Sequence, residues 1–374
     1  VKPLARTLRG AAVVSLVATL VTACGDSPAN EPNPDTTTAG PAGSDDAGPD
    51  GGAAVSATDV ATDLDSPWGL VPLDDGSVLV GSRNTGVVSL LAPDGSTRQV
   101  ATIDVRAEGE AGLLGLAATD DESTVVAYYT VADRSLVATM SFDGTTLGEP
   151  SVIVKDIPGG ATFHQGGAVA IGPDGLLYVA TGDNGDPPSA QDLDSLSGKV
   201  LRYDLDGAPA SGNPFDTAVW SYGHRNVEGL TFDDDGRLWA SEFGQDTWDE
   251  VNLIEPGANY GWPEVEGSGG GEEYVDPLAV WRTEDASPSG LTYWQGSLWM
   301  AALRGRTLWE IPLDVPAEGQ ARLGAPVAQL TGTYGRLRNV VVAPDGEALL
   351  LATSNTDGRG EPDADDDRLL RVSR

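Results

Sequence analysis

Short stretches of alternating apolar and polar residues dominate the chain after Asp59, and a helical apolar period is almost absent there. Alternation with a period of two residues predicts β-strands. A turn signal followed by such a strand recurs six times. Each copy is preceded by a short apolar strand, and most are followed by a third strand. The six copies begin at Asp75, Asp121, Asp174, Asp235, Gln295 and Asp345.

The length of this repeat predicts an all-β fold, the six-bladed β-propeller. Repeats of about 50 residues with several strands each are typical of propeller blades. The sixth repeat lacks an outer strand, which residues 55–64 can supply by closing the ring. A pair of β-sandwiches is the alternative that the same strands leave open.

The start of the chain resembles an export signal. Lys2, Arg6 and Arg9 precede an apolar run at residues 11–21, and the run is followed by Cys24. This order is typical of a lipoprotein signal peptide, and the run is too short for a comfortable membrane span. We therefore expect export, with a lipid anchor at Cys24 on the outer face of the cell membrane. A plain signal peptide cut elsewhere, with an incidental cysteine, is the alternative.

Composition divides the chain into three parts. Residues 25–55 contain no Leu, Ile, Phe, Trp or Tyr, so they cannot bury enough apolar surface to fold. We predict a signal peptide at residues 1–24, a disordered acidic linker at 25–55 and one propeller domain at 56–374. The formal net charge of −35 argues against nucleic acid as a partner. The single cysteine excludes a disulfide within the chain.

One predicted hairpin carries a candidate acid–base pair. His164 stands just before an apolar strand, a turn signal occupies residues 173–175, and Asp183 follows the returning strand. Because a hairpin returns the chain to where it began, we expect the two side chains to lie close together. A histidine beside a carboxylate suits an oriented general base. A surface histidine that merely caps the hairpin is the alternative.

Scarce cationic residues concentrate just before the first strands of the predicted blades, which converge at one mouth of the channel. Arg336 and Arg338 alternate, so both should face the same way and suit a ligand with more than one carboxylate. Polar residues that propellers carry there in any case are the alternative explanation. The predicted mouth positions are Pro67, Trp68, Glu110, His164, His224, Arg225, Asn226, Ser287, Pro288, Arg336 and Arg338.

Several common site types are absent from the sequence. It has no phosphate-binding GxxxxGK[ST] loop, no GxSxG elbow and no HExxH helix. Two histidines and one cysteine exclude most zinc and iron ligand sets. The acid-rich stretch at residues 241–252 offers oxygen ligands of the kind that calcium prefers, although a solvated acidic loop has the same composition.

Ten motifs, in order from about residue 64 to 372, resemble the soluble quinoprotein sugar dehydrogenases, the glucose/sorbosone dehydrogenase family, which use pyrroloquinoline quinone. They are Ser66-Pro-Trp-Gly, Gly109-Glu-Ala-Gly-Leu-Leu-Gly115, His164-Gln-Gly-Gly, Thr181-Gly-Asp-Asn-Gly, Gly198-Lys-Val-Leu-Arg, Tyr222-Gly-His-Arg-Asn226, Asp249-Glu-Val-Asn-Leu-Ile254, Asn259-Tyr-Gly-Trp-Pro263, Ser287-Pro-Ser-Gly290 and Gly335-Arg-Leu-Arg-Asn339. The resemblance implies a six-bladed propeller that oxidises the C1 hydroxyl of aldose sugars to a lactone, with Ca²⁺ assistance.

The resemblance also implies roles for individual residues. His164 matches the base that takes the proton of the anomeric hydroxyl, Asp183 matches its carboxylate partner, and Arg225 matches the arginine beside the quinone carbonyl. The implied cofactor-binding residues are Glu110, His164, Arg225, Asn226, Arg304, Arg336 and Arg338. The backbone carbonyls of Gly244 and Gln245 match ligands of the calcium ion that polarises the quinone. Glu250 and the Tyr260 carbonyl match a separate structural calcium site.

Some of these positions depart from the family pattern. Glu110 stands where some relatives carry a glutamine against the cofactor, and an anion that faces an anionic quinone would be unfavourable unless it were protonated or paired with calcium. Arg304 replaces a lysine, Gln245 replaces a proline, and Phe163 stands where glucose-specialised members place an acid. The resemblance therefore implies a broad aldose specificity, or another alcohol, rather than glucose alone. The electron acceptor stays open.

Two rival functions remain from the residues alone. The first is a non-catalytic surface propeller that binds carbohydrate or a protein. The second is a calcium-dependent lactonase-type propeller, which would need several carboxylates around one channel metal, whereas the predicted mouth is mainly cationic.

Overall fold

The computed structural model describes residues 54–316 and 320–374. The predicted leader, its lipid-anchor cysteine and nearly all of the predicted linker lie outside these residues. Within them the regular structure is almost entirely strand, apart from a short 3₁₀ turn at Pro187–Ala190. No helix in the described part of the chain is long and apolar enough to span a membrane.

The strands form six antiparallel sheets, which we call blades 1 to 6. The first strand of the chain, β1 (Ser56–Ala61), belongs to the last blade. Blade 1 contains β2 (Pro67–Pro72), β3 (Val78–Ser82), β4 (Val87–Leu91) and β5 (Thr97–Thr102); blade 2 contains β6 (Leu113–Ala118), β7 (Thr124–Val131), β8 (Arg134–Ser141) and β9 (Ser151–Pro158). Blade 3 contains β10 (Gly166–Ile171), β11 (Leu177–Thr181), β12 (Lys199–Tyr203) and β13 (Val219–Tyr222); blade 4 contains β14 (Val227–Phe232), β15 (Leu238–Glu242), β16 (Trp248–Ile254) and β17 (Ala279–Arg282). Blade 5 contains β18 (Pro288–Trp294), β19 (Ser297–Ala302) and β20 (Leu308–Asp314), with β21 (Arg322–Leu323) and β22 (Val327–Gln329) both pairing with β20; blade 6 contains β23 (Leu337–Val342), β24 (Leu349–Thr353) and β25 (Leu369–Ser373) with β1 outermost.

This arrangement confirms the predicted six-bladed propeller and excludes the pair of sandwiches. The strand predicted to close the ring is β1, which pairs antiparallel with β25 from Ser56 opposite Ser373 to Ala61 opposite Leu369. Closure in this way joins two segments that lie far apart in the sequence. It gives blade 6 a fourth strand, like blades 1 to 4.

The hydrophobic core lies between blades rather than inside any one of them. The described residues form six apolar clusters, and each combines residues of adjacent blades. Trp239 of blade 4 and Trp299 of blade 5 are fully buried in two of these clusters. Because each blade covers the apolar face of the next, a single blade has no core of its own, and stability depends on the complete ring.

The innermost strands pack against one another around the central axis. A Cβ atom on Gly115 of β6 would lie 2.2 Å from the Gly167 carbonyl oxygen of β10, and one on Gly229 of β14 would lie 2.5 Å from the Ser289 oxygen of β18. Glycine therefore permits a backbone-to-backbone approach that no side chain would allow.

Every innermost strand also changes register within its first few residues. Such irregularities turn side chains away from the regular alternation of a strand and are frequent beside active sites. Here they occur at the end of the channel where the six strands begin, which we call the mouth. Glu228 and Arg338 lie within two of these irregular segments and form an ion pair between blades 4 and 6.

The inter-blade glycine contact can be tested with Gly115→Ala. The new methyl group would meet the Gly167 backbone, which cannot rotate away, so overpacking should cost about 1–3 kcal/mol and lower the melting temperature. Gly324→Ala is the matched control, because its nearest neighbour is the Pro312 side chain at 3.1 Å. Equal melting temperatures for the two variants, measured by scanning calorimetry, would contradict the proposed role of the close contact.

Candidate active site

The hairpin of β10 and β11 brings His164 and Asp183 together. The imidazole Nδ1 lies 2.7 Å from Asp183 Oδ1. The Asp183 side chain is fully buried, whereas 16% of the His164 side chain remains exposed. The pair therefore has a protected carboxylate and an imidazole that still reaches solvent at the mouth.

Three donors hold the Asp183 carboxylate in place. Besides His164, the Gly185 amide donates to Oδ1 at 2.8 Å and the Trp262 indole donates to Oδ2 at 2.9 Å. Burial alone would raise the pKa of Asp183, but these hydrogen bonds outweigh it and hold the pKa below its usual range. An ionised carboxylate at Nδ1 requires the proton on that nitrogen, so Nε2 carries the free lone pair of the neutral imidazole.

The backbone of His164 is held in an unusual conformation. Its φ is +57°, in the left-handed region that residues with a side chain adopt rarely. The His164 amide donates to Glu110 Oε2 at 2.7 Å, and its carbonyl accepts from the Asn184 amide at 3.1 Å. Strained backbone maintained by surrounding bonds is common at functional sites, where it fixes a side-chain direction.

Glu110 is not an isolated anion. Its Oε1 accepts from Arg359 Nη1 at 3.1 Å, while Oε2 accepts from the His164 amide. The structure thus gives Glu110 a cationic partner that the sequence did not suggest. A guanidinium from blade 6 supplies the compensating charge. Arg359 was missed because it lies in a polar loop with no motif around it.

Arg336 and Arg338 face the same region, as their alternation suggested. Arg336 donates to Asp357 Oδ2 through Nε at 3.1 Å and Nη2 at 2.9 Å. Arg338 donates to Glu228 Oε2 at 2.7 Å and lies 3.9 Å from Asp357. Burial lowers the pKa of Arg336, and burial raises the pKa of Glu228.

The sequence did not reveal the two carboxylates that organise these arginines. Glu228 is the second residue of an otherwise apolar innermost strand, and a charge in that position was an available signal. Asp357 lies in the loop after β24, where acidic residues are common and uninformative. Burial by itself raises the pKa of Asp357, but the charge of Arg336 and other donors outweigh it, so its pKa is lowered.

The predicted mouth position of His224 is wrong. Its side chain is fully buried, with Nδ1 2.9 Å from Glu242 Oε2 and Nε2 2.8 Å from Ser221 Oγ, and its ring stacks on Tyr260. Successive residues of an extended segment point to opposite sides. His224 therefore points between blades, while Arg225 points towards the mouth.

Arg225 and Asn226 take different parts in the site. Arg225 lies over the Trp262 ring at 5.3 Å, and its buried Nε has no partner among the described residues. Burial lowers the pKa of Arg225. Asn226 Oδ1 accepts from the Gly166 amide at 2.9 Å, and its Nδ2 donates to Glu228 at 3.3 Å. The amide group of Asn226 thus ties blades 3 and 4 together.

One pocket lies at the centre of the mouth. Its walls include Trp68, Glu110, Gln165, Glu228, Arg338 and Arg359. Gln165 Oε1 is buried without a partner in the described structure, and its Nε2 donates to three acceptors on Ala161, Phe163 and Asn184. A buried acceptor without a partner suits a polar ligand. Arg304 lies next to the pocket residue Leu303 and is exposed.

The predicted metal ligands lie at a second, smaller cavity. Gly244, Glu250 and Tyr260 line it together with Glu242, Glu266 and Arg225, so residues of both predicted calcium sites border the same cavity. Burial first, and then the charge of Glu242, raise the pKa of Glu250. A bound cation would relieve this repulsion.

The loop after β15 is fixed by an acidic residue that sequence reasoning missed. One oxygen of Glu266 accepts from the amides of four successive residues, among them Gln245 at 2.8 Å. The Gly244 amide donates to Asp249 at 2.9 Å. Within the described residues no three acidic, histidine or cysteine side chains form a metal cluster. A calcium ion here would depend on backbone carbonyls and water, as its preference for oxygen ligands allows.

Comparison with known proteins identifies relatives of this chain. A family model for glucose/sorbosone dehydrogenases matches residues 64–370. The PQQ-bound aldose sugar dehydrogenase from Streptomyces coelicolor is 48% identical, with a TM-score of 0.81 over 87% of this chain and 99% of that chain. The aldose sugar dehydrogenase YliI of Escherichia coli is 28% identical over 78% of this chain and 88% of its own length. Quinoprotein glucose dehydrogenase B of Acinetobacter calcoaceticus is 31% identical over 56% of this chain and 52% of its own length.

The buried carboxylate can be tested through the pH dependence of stability. A folded-state pKa below the unfolded value of about 4 means that Asp183 stabilises the fold above that pH, and that this contribution is lost as the pH falls through the lower, folded pKa. Asp183→Asn should therefore cost about 1.5–3 kcal/mol in urea unfolding at neutral pH and progressively less below about pH 4.

Asp314→Asn removes an exposed carboxylate and serves as the control for Asp183→Asn. It should leave the unfolding free energy nearly unchanged across the same pH range. A loss for Asp183→Asn that stays constant into strong acid would show that the carboxylate charge is not the stabilising element.

Proposed function

The chain belongs to the glucose/sorbosone dehydrogenase family, and we propose that it oxidises the C1 hydroxyl of aldose sugars with pyrroloquinoline quinone and Ca²⁺. The observation that carries this proposal is the His164–Asp183 pair, which stands at the mouth of a pocket lined by arginines. The leader-like sequence of residues 1–24 supports a location outside the cytoplasm, with the protein held to the outer face of the cell membrane through Cys24.

The proposed base is His164. Its Nε2 lone pair would accept the proton of the anomeric hydroxyl, because Nδ1 already donates to Asp183. The imidazolium formed in this way would be stabilised by the ionised carboxylate beside it. Asp183 itself is oriented by Trp262 and the Gly185 amide, so the imidazole is presented in one tautomer and one direction.

The residues around the central pocket fit an anionic cofactor. Arg225, Arg336 and Arg338 would hold its carboxylates and carbonyl oxygens, with Asn226 shaping the wall and Glu110 and Arg304 at the edge. The unpartnered Arg225 Nε and Gln165 Oε1 offer one donor and one acceptor to such a group. When bound, pyrroloquinoline quinone would supply the acceptor for the hydride that leaves C1 of the sugar.

Calcium would be held at the smaller cavity and its adjoining loop. The carbonyls of Gly244 and Gln245 would contribute to one ion, and Glu250 with the Tyr260 carbonyl to another. The acidity of this region supports the assignment, because buried Glu250 and Glu242 repel each other in the absence of a cation. Calcium would thereby contribute to the stability of blade 4 as well as to the polarisation of the cofactor.

The surroundings of His164 support aldoses as a substrate class. Phe163 is 44% exposed and meets the His164 ring edge to face at 4.7 Å. An apolar ring beside the base suits the C–H face of a pyranose and makes no hydrogen bond that would select one hydroxyl pattern. We therefore propose a broad range of aldoses rather than glucose alone.

The catalytic role is tested with His164→Asn, because asparagine tolerates the positive φ that alanine would strain. Apo-protein is titrated with pyrroloquinoline quinone and calcium, and dye reduction by several aldoses is followed. The variant should still bind the cofactor but lose about 10²–10⁴-fold in kcat, the usual contribution of a general base.

Two other outcomes of the same titration would overturn the proposal. Wild-type protein that binds no cofactor and reduces no dye is not a quinone-dependent dehydrogenase. Saturation by a glycan without redox activity would instead select a non-catalytic, carbohydrate-binding surface propeller.

The calcium assignment is tested by thermal unfolding with and without Ca²⁺. Calcium should raise the melting temperature of the wild type and raise that of Glu250→Gln much less, because the variant loses a ligand charge. Glu284→Gln makes the same change at an exposed position and should respond like the wild type. An equal calcium response in all three proteins would exclude Glu250 as a ligand.

A further inference from the structure

A buried arginine in the central pocket has no role in the site described so far. Arg83 follows β3 at the mouth, its side chain is buried, and it lines the pocket beside Arg338 and Arg359. Arg338 pairs with Glu228 and Arg359 pairs with Glu110. Arg83 forms no ion pair with any described residue. Its terminal Nη1 and Nη2 groups have no acceptor in that part of the chain.

The direction of the Arg83 side chain is fixed by its neighbours. Its Nε donates to Asn84 Oδ1 at 3.1 Å, and Asn84 in turn donates to Ser66 Oγ at 2.7 Å. The backbone of Gly112 lies against the aliphatic part of the side chain, where an added Cβ atom would be 2.8 Å from Arg83 Cγ. The stem and one nitrogen are thus immobilised, while the two terminal nitrogens remain available.

This arrangement is electrostatically costly as it stands. Burial, followed by repulsion from Arg338, lowers the pKa of Arg83, although a guanidinium stays charged at any ordinary pH. The nearby Asp357 and Glu228 attract it, but these carboxylates already bind Arg336 and Arg338. A largely buried cation without an ion-pair partner destabilises a fold, so an anion bound from outside the chain would lower this cost.

Arg225 has the same combination of burial and missing carboxylate partner. Its pKa is also lowered first by burial, and its Nε is unpartnered. The resemblance to known dehydrogenases assigns Arg225 to the cofactor, whereas it assigns nothing to Arg83. Arg83 and Arg225 therefore share two features, burial and the lack of an ion pair with a described carboxylate. Arg202 differs from both, because it pairs with Asp174 and lies over the Trp220 ring.

We propose that Arg83 is a further ligand-binding residue, whose terminal nitrogens hold a carboxylate of the anionic molecule that occupies the central pocket. With Arg338 and Arg359 it would give the pocket a third guanidinium, contributed by blade 1. The identity of the ligand as pyrroloquinoline quinone rests on the proposed function. The requirement for an anion rests on the charge and burial of Arg83 alone.

The change in melting temperature on replacing Arg83 distinguishes a ligand-binding role from a structural role. Arg83→Met keeps the aliphatic stem and removes the charge, so the ligand-free variant should unfold at the same temperature as the wild type or at a higher one. The same variant should bind pyrroloquinoline quinone about ten- to a hundredfold more weakly, the range expected for loss of a charge-assisted hydrogen bond.

Two control variants bracket the result. Arg202→Met removes an arginine with an ion pair and ring contacts, so it should lower the melting temperature and leave cofactor affinity unchanged. Arg98→Met removes one exposed positive charge and should change neither quantity, which excludes an effect of net charge alone. Affinity is measured by fluorescence titration of apo-protein, and stability by calorimetry.

A second probe keeps the inference testable if the wild type does not bind the quinone. Citrate, a simple tricarboxylate, should raise the melting temperature of the wild type above that in chloride at equal ionic strength, and Arg83→Met should lose this increment. Such a result would refute the proposed function and still support anion binding by Arg83. The inference is overturned if ligand-free Arg83→Met is destabilised as much as Arg202→Met. It is also overturned if the variant binds the quinone, or responds to citrate, as the wild type does.

Discussion

The close approach of six innermost strands is the constraint on which the rest of the structure depends. Glycines such as Gly115 and Gly229 allow neighbouring backbones to touch around the axis. The strand starts of all blades are thereby gathered at one mouth, although they are separated by about 50 residues in the sequence. His164, Glu228 and Arg338 meet there because the ring is narrow. A wider ring would leave the same side chains too far apart to share a ligand.

The charge of the central pocket is opposite in sign to the net charge of the chain. The chain as a whole is strongly acidic, yet the central pocket collects guanidinium groups from several blades. Each of Arg336, Arg338 and Arg359 is balanced by a carboxylate, which keeps the ligand-free pocket stable. Each of these carboxylates also fixes the direction of the arginine it binds, so the site is ordered before any ligand binds.

The sequence was sufficient for the fold because the repeat is a property of the chain itself. Turn signals at regular intervals gave the number of blades, and the unmatched strand before the first repeat indicated how the ring closes. Part of the site was also accessible, since His164 and Asp183 flank one hairpin and Arg336 and Arg338 alternate on one strand. The partners Glu228, Asp357 and Arg359 were not, because they come from other blades. His224 was misplaced because position along the chain does not specify which way a side chain turns.

Ring closure by β1 has a consequence for the order in which the molecule can be completed. β1 pairs with β25 and with no other strand, so its partner does not exist until synthesis reaches residues 369–373. Blades 1 to 5 consist of segments that are close in sequence and can associate as they emerge. Blade 6 must wait, and with it Arg336, Arg338 and Asp357. The wall of the pocket that blade 6 supplies is therefore assembled last, and a chain interrupted before residue 369 would lack the closing pair of strands.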